Sequence, residues 1–532
     1  MGLPPFIEKL LRPEAYPHHP SRVELVQTHI SYVFLADDLV YKIKKPVNFG
    51  FLDFTTLEKR KYFCEREVVL NRRLCPEIYL GVVPVVEEGE VACVEKEGKP
   101  VEWAVKMKRL PEEGMMPRLI KEGLLGPKHL DLIVEKLVPF YRKAETGPEI
   151  NKYGTLEAIS FNVEENFSQT KDFIGKALAF HRYQHIVSWS RNFMKEKESL
   201  FKARIDEGYI RDGHGDLYSA NICFDEPRQK VYIFDCIEFN DRFRCGDVAQ
   251  DLAFLAMDLD FHHLKSLSDY FITKYVSLSG DTQLQEILGF YKCYRAYVRG
   301  KIGCFTWASP EVEEQIRKKS LEDARRYFDL AYLYAEGKPY LIVVFGLSGT
   351  GKSTLARALT AELLANYYNS DIVRKKLLGI PPEEHHYEPF GKGIYGEEMT
   401  RRTYEALAEF AAQDLREGRD VVLDATYRAK AFRELVFQKT KDIPKTILFV
   451  QCVAPDEIIK KRFEVRAQKT GEPSDGRWEI YVKQKEVFEP PIEIPKEILL
   501  LLETTRPVGD LTKEILKRLK EIESKACQAC RK

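Results

Sequence analysis

The sequence predicts two domains, an α+β domain followed by an α/β domain built on a parallel sheet. Three observations carry that expectation. Short strand-like runs crowd residues 23–110 and give way to helical patterns from about 128, the segregated order of an α+β fold. Residues 341–354, LIVVFGLSGTGKST, set a glycine-rich turn between a buried apolar run and a helical pattern. Beyond them strands and helices alternate, as they do around a parallel sheet. The chain has 532 residues, enough for roughly two to four domains with cores of their own. Gly337-Lys338-Pro339 ends a helical pattern and opens the next strand, so the boundary is expected there, with domains at 1–336 and 337–532.

In the first domain, VELVQTHISYVFLADDLVYKIKK at 23–45 reads as a β-hairpin turning at Asp37-Asp38. A helix is expected over about 56–74, with Phe63, Val68, Leu70 and Leu74 apolar, and strands at 83–86, 91–95 and 101–110. Helical patterns fill about 128–208, broken at Pro139 and Gly147-Pro148, and return from Gly246 to about 335. In the second domain Leu341–Phe345 form a strand, and Leu355, Ala358, Leu359 and Leu363 mark one side of the following helix. Asn369-Ser370-Asp371 opens another helix, 420–427 and 446–454 are strands, and the tail ESKACQACRK is polar and expected to fray.

Composition narrows the function classes. Apolar residues make up 44% and charged residues 31%, with 82 basic against 82 acidic side chains, which removes the electrostatic footprint of a non-specific nucleic-acid binder. Eleven cysteines are scattered, several in apolar settings (Cys64, Cys93, Cys236, Cys293), and read as reduced thiols. No apolar run reaches membrane-span length, the N-terminus lacks a secretory pattern, and Phe6 stands where an acylation motif needs Ser or Thr. A cytoplasmic protein without a membrane partner is expected. Cys527 and Cys530 form a lone CxxC, and His262-His263 and His385-His386 lack ligand spacing.

Two stretches carry chemistry. The first is RDGHGDLYSANICF followed by VYIFD, which presents His214, Gly215, Asp216, Asn221 and Asp235 on polar loops beside strands. Phosphoryl transfer needs a carboxylate to take the hydroxyl proton, which suits Asp216, and oxygen ligands for Mg²⁺, which suit Asn221 and Asp235. On these residues the chain resembles the aminoglycoside phosphotransferase-like kinases, relatives of the protein kinases, over roughly 25–310. The resemblance implies that Asp216 is the catalytic base, that Asn221 and Asp235 bind metal, that His214 shapes the loop and that Asp247 braces it. It also implies a strand lysine for the nucleotide phosphates paired with a helix glutamate. Lys42 and Lys44 share one strand face; Lys42 best fits the resemblance, with Glu67 as partner and Glu65 as the substitute. Met107–Leu110 resembles the adenine hinge. The glycine-rich turn of such kinases is missing at Leu35-Ala36-Asp37-Asp38.

The second stretch fits G-x-x-x-x-G-K-[ST] with Gly346, Ser348, Gly349, Thr350, Gly351, Lys352 and Ser353, followed by Thr354 at the helix start. The glycines let backbone N–H groups converge on one phosphate, and the helix N-terminus adds partial positive charge. Lys352 is expected to reach the β- and γ-phosphates and Ser353 to bind Mg²⁺. Asp371 and Arg374 form Asp-x-x-Arg at a helix start, and Asp424 ends an apolar strand where a carboxylate can hold Mg²⁺. Arg462 and Arg466 lie four apart on one helical face. About 340–500 is similar to the P-loop kinases related to polynucleotide 5′-kinase and the zeta-toxin group. That likeness implies an acceptor site at Asp371 and Arg374 and a lid carrying Arg462 and Arg466.

The order of the two halves resembles a bacterial fusion of an aminoglycoside phosphotransferase-like domain with a P-loop, AAA-family domain. The expectation is an ATP- and Mg²⁺-dependent phosphotransferase with two ATP-type sites, acting on hydroxyls of a small molecule or a nucleic-acid end. The alternative is an ATP-binding regulatory protein whose N-terminal half senses a ligand as a pseudokinase.

Overall fold

The computed structural model describes residues 3–89, 91–381, 384, 390–466 and 476–530; the side chains of Arg466 and of residues 526–530 lie outside that description. The chain divides into two compact units, 1–166 with 190–298, and 167–189 with 299–532. Segments 167–189 and 299–336 therefore count with the second unit, although the sequence puts the boundary after 336. Arg182 gives the reason. Its buried guanidinium donates to Gly418 O at 2.8 Å and to Asp420 at 3.1 Å, and Asp420 in turn accepts the Tyr340 N–H at 2.7 Å. Burial opposes charge on Asp420, yet Arg182 and His181 hold its carboxyl well below the usual range. A buried pair of this kind is costly to break from one side.

The first unit opens with strands β1 (Val23–Gln27), β2 (Ser31–Ala36), β3 (Leu39–Lys44), β4 (Tyr79–Glu88), β5 (Val91–Val94) and β6 (Pro100–Lys108). They form an antiparallel sheet in the order β1-β2-β3-β6-β4-β5. The 23–45 segment is thus three strands rather than one hairpin: Asp37-Asp38 turns β2 into β3 as expected, and a further turn at 28–30 adds β1. Helix Leu57–Asn71 starts at Thr56, whose hydroxyl accepts the Lys59 N–H at 3.2 Å. It buries Cys64 and Val68 with Val105 of β6. Pro139 sits inside helix Pro127–Lys143 and does not break it. Pro139 is exposed near the last turn, so the carbonyl it leaves without a donor meets water, while Leu130, Ile133, Val134, Leu137 and Val138 anchor the helix. Two short ladders, β7 (Ile210–Asp212) with β10 (Cys245–Asp247) and β8 (Ile222–Asp225) with β9 (Lys230–Ile233), carry the polar loops.

The second unit holds β11 (Tyr340–Phe345), β12 (Asn366–Asn369), β13 (Val421–Ala425), β14 (Thr446–Val453) and β15 (Leu499–Glu503), all parallel, in the order β12-β13-β11-β14-β15. Every residue of β11 is buried. Its alternate side chains enter opposite layers: Leu341, Val343 and Phe345 pack with Leu407, Ala411 and Val436, and Tyr340, Ile342 and Val344 with Leu355, Leu359 and Ile515. The sequence reading does not single out β12, which is short and of mixed polarity, or β15, a short apolar run. The tail does not fray where expected. Helix Val508–Cys530, whose Leu511, Ile515 and Leu519 are buried upstream of the tail, continues into it as far as Cys530.

Candidate functional site

The parallel sheet opens a crevice at the carboxyl ends of β11 and β13, the usual ligand position in such sheets. The loop after β11 fills it. Gly346 (φ 142°) would place a Cβ 2.4 Å from Cys452 O, and Gly349 (φ 79°) would place one 2.8 Å from Ile459 and 2.9 Å from Phe463. Both positions require glycine on conformation and on space. Helix Lys352–Leu363 follows directly, and its first N–H groups have no partner within the helix. A cavity of about 600 Å³ lies against the loop, lined by Ser348, Gly349, Gly351, Lys352, Ser353 and Thr354. Thr350 is buried and donates its hydroxyl to Leu347 O at 2.8 Å, bracing the turn. Lys352 Nζ donates to the same carbonyl at 2.9 Å.

The other residues singled out in this half reach the same cavity. Asp371, Arg374, Asp424 and Arg462 all line it. Asp424 is 1% exposed. Its Oδ2 accepts from Tyr367 OH and Asn369 Nδ2, both at 2.7 Å, while Oδ1 has no hydrogen-bond partner among the described residues. An orphaned buried carboxylate oxygen fits a Mg²⁺ or Mg²⁺-bound water, and Ser353 supplies a hydroxyl at the same cavity. Asp371 and Arg374 pair at 3.0 Å, and Arg374 lies over the Tyr395 ring at 4.7 Å. Arg462 donates to Gly349 O at 3.3 Å and to Thr504 O at 2.6 Å, and burial lowers its pKa. The side chain of Arg466 lies outside the described residues, as do those of Cys527 and Cys530 and all of His385 and His386.

Three residues here have roles at the site that the sequence does not assign. Asn369 caps helix Ser370–Leu377 through Oδ1 and holds Asp424 through Nδ2; the Asn-Ser-Asp pattern is its signal. Thr504 ties Arg462 to Thr350 O, to which its hydroxyl donates at 2.6 Å. Its signal is the apolar run at 499–502. Gln484 accepts the Ser348 N–H at 2.8 Å and has no local signal.

The first unit assembles a second polar cluster. Lys42 donates to Glu67 at 2.9 Å and to Asp235 at 2.6 Å. Glu67, wholly buried, also receives Lys44 at 2.6 Å, and Lys44 reaches Glu238 on its other side. Both lysines thus meet Glu67, while Glu65 stays on the exposed face with Lys61. Burial works against charge on Lys42, but Asp235 and Glu67 outweigh it and keep the ammonium protonated well above its usual range. Asn221 Nδ2 donates to the Asp216 carboxylate and to its carbonyl, each at 2.9 Å, which turns Asn221 Oδ1 the other way. Asp235 adopts φ 61°, a strained conformation for a non-glycine residue.

His214 holds the loop together without being charged. Its Nδ1 accepts the Asp216 N–H at 3.2 Å and its Nε2–H donates to Phe234 O at 3.0 Å. Burial pushes its pKa down to about 4. The brace is Asp251, not Asp247. Asp251 accepts the His214 and Gly215 N–H groups at 2.7 and 2.8 Å. Asp247 instead grips Arg204 through both oxygens and caps helix Val248–Phe261. The two aspartates are one helical turn apart, so spacing alone does not separate them. The turn joining β1 to β2 reads Thr28-His29-Ile30, so glycine is missing there as well as at Leu35–Asp38.

Residues 341–491 match a family model described as an AAA domain. Uncharacterized protein Rv2004c of Mycobacterium tuberculosis is 31% identical over 462 residues, covering 86% of this chain and 88% of that one. Uncharacterized protein Mb2027c of Mycobacterium bovis matches to the same extent. This chain belongs to their family. Among solved structures, a choline/ethanolamine kinase family protein from Mesorhizobium loti is similar to 60% of this chain and 95% of its own, at 12% identity and a TM-score of 0.36. A gluconokinase from Sinorhizobium meliloti is similar to 36% of this chain and 97% of its own, at 18% identity and a TM-score of 0.26. The match to the AAA domain model falls on the glycine-rich loop and most of the parallel sheet of the second unit. Among the described residues no helix is long and apolar enough to cross a membrane.

Proposed function

We propose that the protein is an ATP- and Mg²⁺-dependent phosphotransferase whose principal catalytic centre is the P-loop cavity, with a hydroxyl as acceptor. The observation that carries this reading is the convergence of the loop, the Asp371–Arg374 pair and the orphaned Asp424 oxygen on one cavity. The Asp371–Arg374 pair lines the same cavity as the loop, which suits an acceptor hydroxyl beside the phosphates. In the proposed reaction Lys352 neutralises charge on the β- and γ-phosphates, and Asp371 accepts the acceptor's hydroxyl proton. Arg374 orients the acceptor, and Arg462 and Arg466 close over the phosphates. Bound Mg²⁺, held by Ser353 and Asp424, would neutralise the phosphate charge. The acceptor is a small molecule or a nucleic-acid end.

For the first unit the proposed roles are Asp216 as base, Asn221 and Asp235 as metal ligands, and Lys42 with Glu67 as phosphate clamp. A second reading, in which this unit senses a ligand without phosphorylating it, is favoured by the Lys42–Asp235 ion pair and by the turn Thr28-His29-Ile30 that lacks glycine. The test uses separate Asp216→Ala and Lys352→Ala variants, assayed for ATP turnover and for phosphate transfer to a panel of metabolites and oligonucleotides. Lys352→Ala is expected to lower P-loop transfer by about 10²–10³-fold. Transfer that survives it unchanged removes the P-loop from the chemistry. Full activity in Asp216→Ala leaves the sensing reading for the first unit.

A further inference from the structure

We infer that Gln484 is a ligand of the nucleotide's terminal phosphate, through which the P-loop site distinguishes a nucleoside triphosphate from a diphosphate. The inference rests on the reading of this cavity as a nucleoside triphosphate site. Gln484 lies on helix Trp478–Glu486, is 7% exposed and lines the cavity. Its Oε1 accepts the Ser348 N–H at 2.8 Å. The carbonyl of that same peptide group, Leu347 O, receives the Lys352 ammonium at 2.9 Å. One peptide unit is therefore held at its carbonyl by the lysine and at its N–H by the glutamine. That places Gln484 at the end of the loop served by Lys352, where the β- and γ-phosphates bind.

The orientation of the carboxamide follows from chemistry. An N–H can be received only by the amide oxygen, so Oε1 faces Ser348 and Nε2, with two N–H donors, faces away. Nε2 makes no hydrogen bond among the described residues. Gln484 lines the cavity, and a phosphate oxygen there would accept from Nε2 in a charge-assisted bond. The side chain is neutral, so it adds a donor without adding charge to the pair already present in Lys352 and Arg462. It is also carried on a fixed platform. Ile459 and Phe463 of helix Asp456–Arg466 pack with Tyr481, one turn before Gln484, and against Leu347 of the loop. Tyr481 OH donates to Asp456 at 2.6 Å, joining the two helices.

The experiment compares the affinities of ADP and of the β,γ-imido analogue of ATP, each with Mg²⁺, in the full-length chain. Binding at the first unit is subtracted with the Lys352→Ala protein. Gln484→Leu keeps the bulk and removes the donor; it should bind ADP as the wild type does and the triphosphate analogue about 10–100-fold more weakly. Gln484→Glu keeps an acceptor for Ser348 N–H and replaces the donor with a charge, so its loss should be specific to the analogue and at least as large. If Gln484→Leu also loses ADP through collapse of the loop, the ratio in Gln484→Glu decides. An unchanged ratio of the two affinities in Gln484→Glu overturns the inference and leaves the nucleotide site standing. A wild-type P-loop that binds neither nucleotide overturns the site reading and this inference with it.

Discussion

The two polar clusters treat their charges in opposite ways. In the first unit the charges satisfy one another: Lys42 bonds Glu67 and Asp235, Lys44 bonds Glu67 and Glu238, and Asn221 bonds Asp216. In the second, a buried carboxylate oxygen of Asp424 and the Arg374 Nε have no hydrogen-bond partner among the described residues, and both residues line a cavity of about 600 Å³. An unpaired buried polar group costs free energy that a ligand can return. The P-loop cluster is therefore organised ahead of its ligand, whereas a nucleotide entering the first cluster must compete with Asp235 for Lys42. Motif quality alone would rank the two sites by the number of matching residues. Charge pairing ranks them by what is left over for a ligand.

Breaking the first network from one side should have the largest effect. Glu67→Ala leaves Lys42 and Lys44 short of their shared partner in a buried setting, and a loss of about 3–5 kcal/mol is expected from the urea unfolding of the first unit. Lys44→Met combined with Glu238→Gln removes both ends of one pair and should cost less than the two single changes added together. Additive losses would mean that the pair is not a coupled element.

A second test concerns His214, which belongs to the first cluster but is kept neutral. Its pKa falls from 6.5 to about 4 because burial disfavours the charged ring. The native state therefore takes up its proton less readily than the unfolded chain. The stability this histidine contributes is fully present above pH 6.5 and is lost as the pH falls toward 4. Over that window the loss is about 3 kcal/mol. His214→Gln should flatten the pH dependence of unfolding between these limits, and an unchanged slope would show that the ring titrates freely.

The smallest expected effect sharpens the picture of the second cluster. Gly349→Ala forces a Cβ against Ile459 and Phe463 at a positive φ, with an expected cost of about 1–3 kcal/mol in thermal unfolding. Because the clash lies between the loop and the Asp456–Arg466 helix, nucleotide affinity should fall further than stability does. Equal losses would mean that the loop and that helix are not a joint platform.

Much of this is legible without the structure. The strand–loop–helix at 341–354 carries its own context, since a buried apolar run, a glycine turn and a lysine at fixed spacing are local properties. The Asp216–Asn221–Asp235 spacing is equally local. The brace falls to Asp247 on resemblance because Asp247 and Asp251 differ by one helical turn, and only packing decides which carboxylate meets the His214 and Gly215 N–H groups. Glu238 and Gln484 have no local mark, since each acts on a partner far away in sequence. The frayed tail is an expectation from the polarity of 523–532 alone, whereas the helix that reaches Cys530 starts at Val508, upstream of it.

The sequence by itself determined the two kinds of domain, the P-loop, and Asp371, Arg374, Asp424 and Arg462 beside it, because these follow from periodicity, glycine conformation and short-range spacing. Only the tertiary structure decided where the units divide, since Arg182 is drawn to Asp420 across the chain. It alone paired both Lys42 and Lys44 with Glu67, chose Asp251 as the brace and brought Gln484 to the P-loop peptide. Each of those outcomes is a long-range charge or hydrogen bond, and its energy depends on burial that no local pattern encodes.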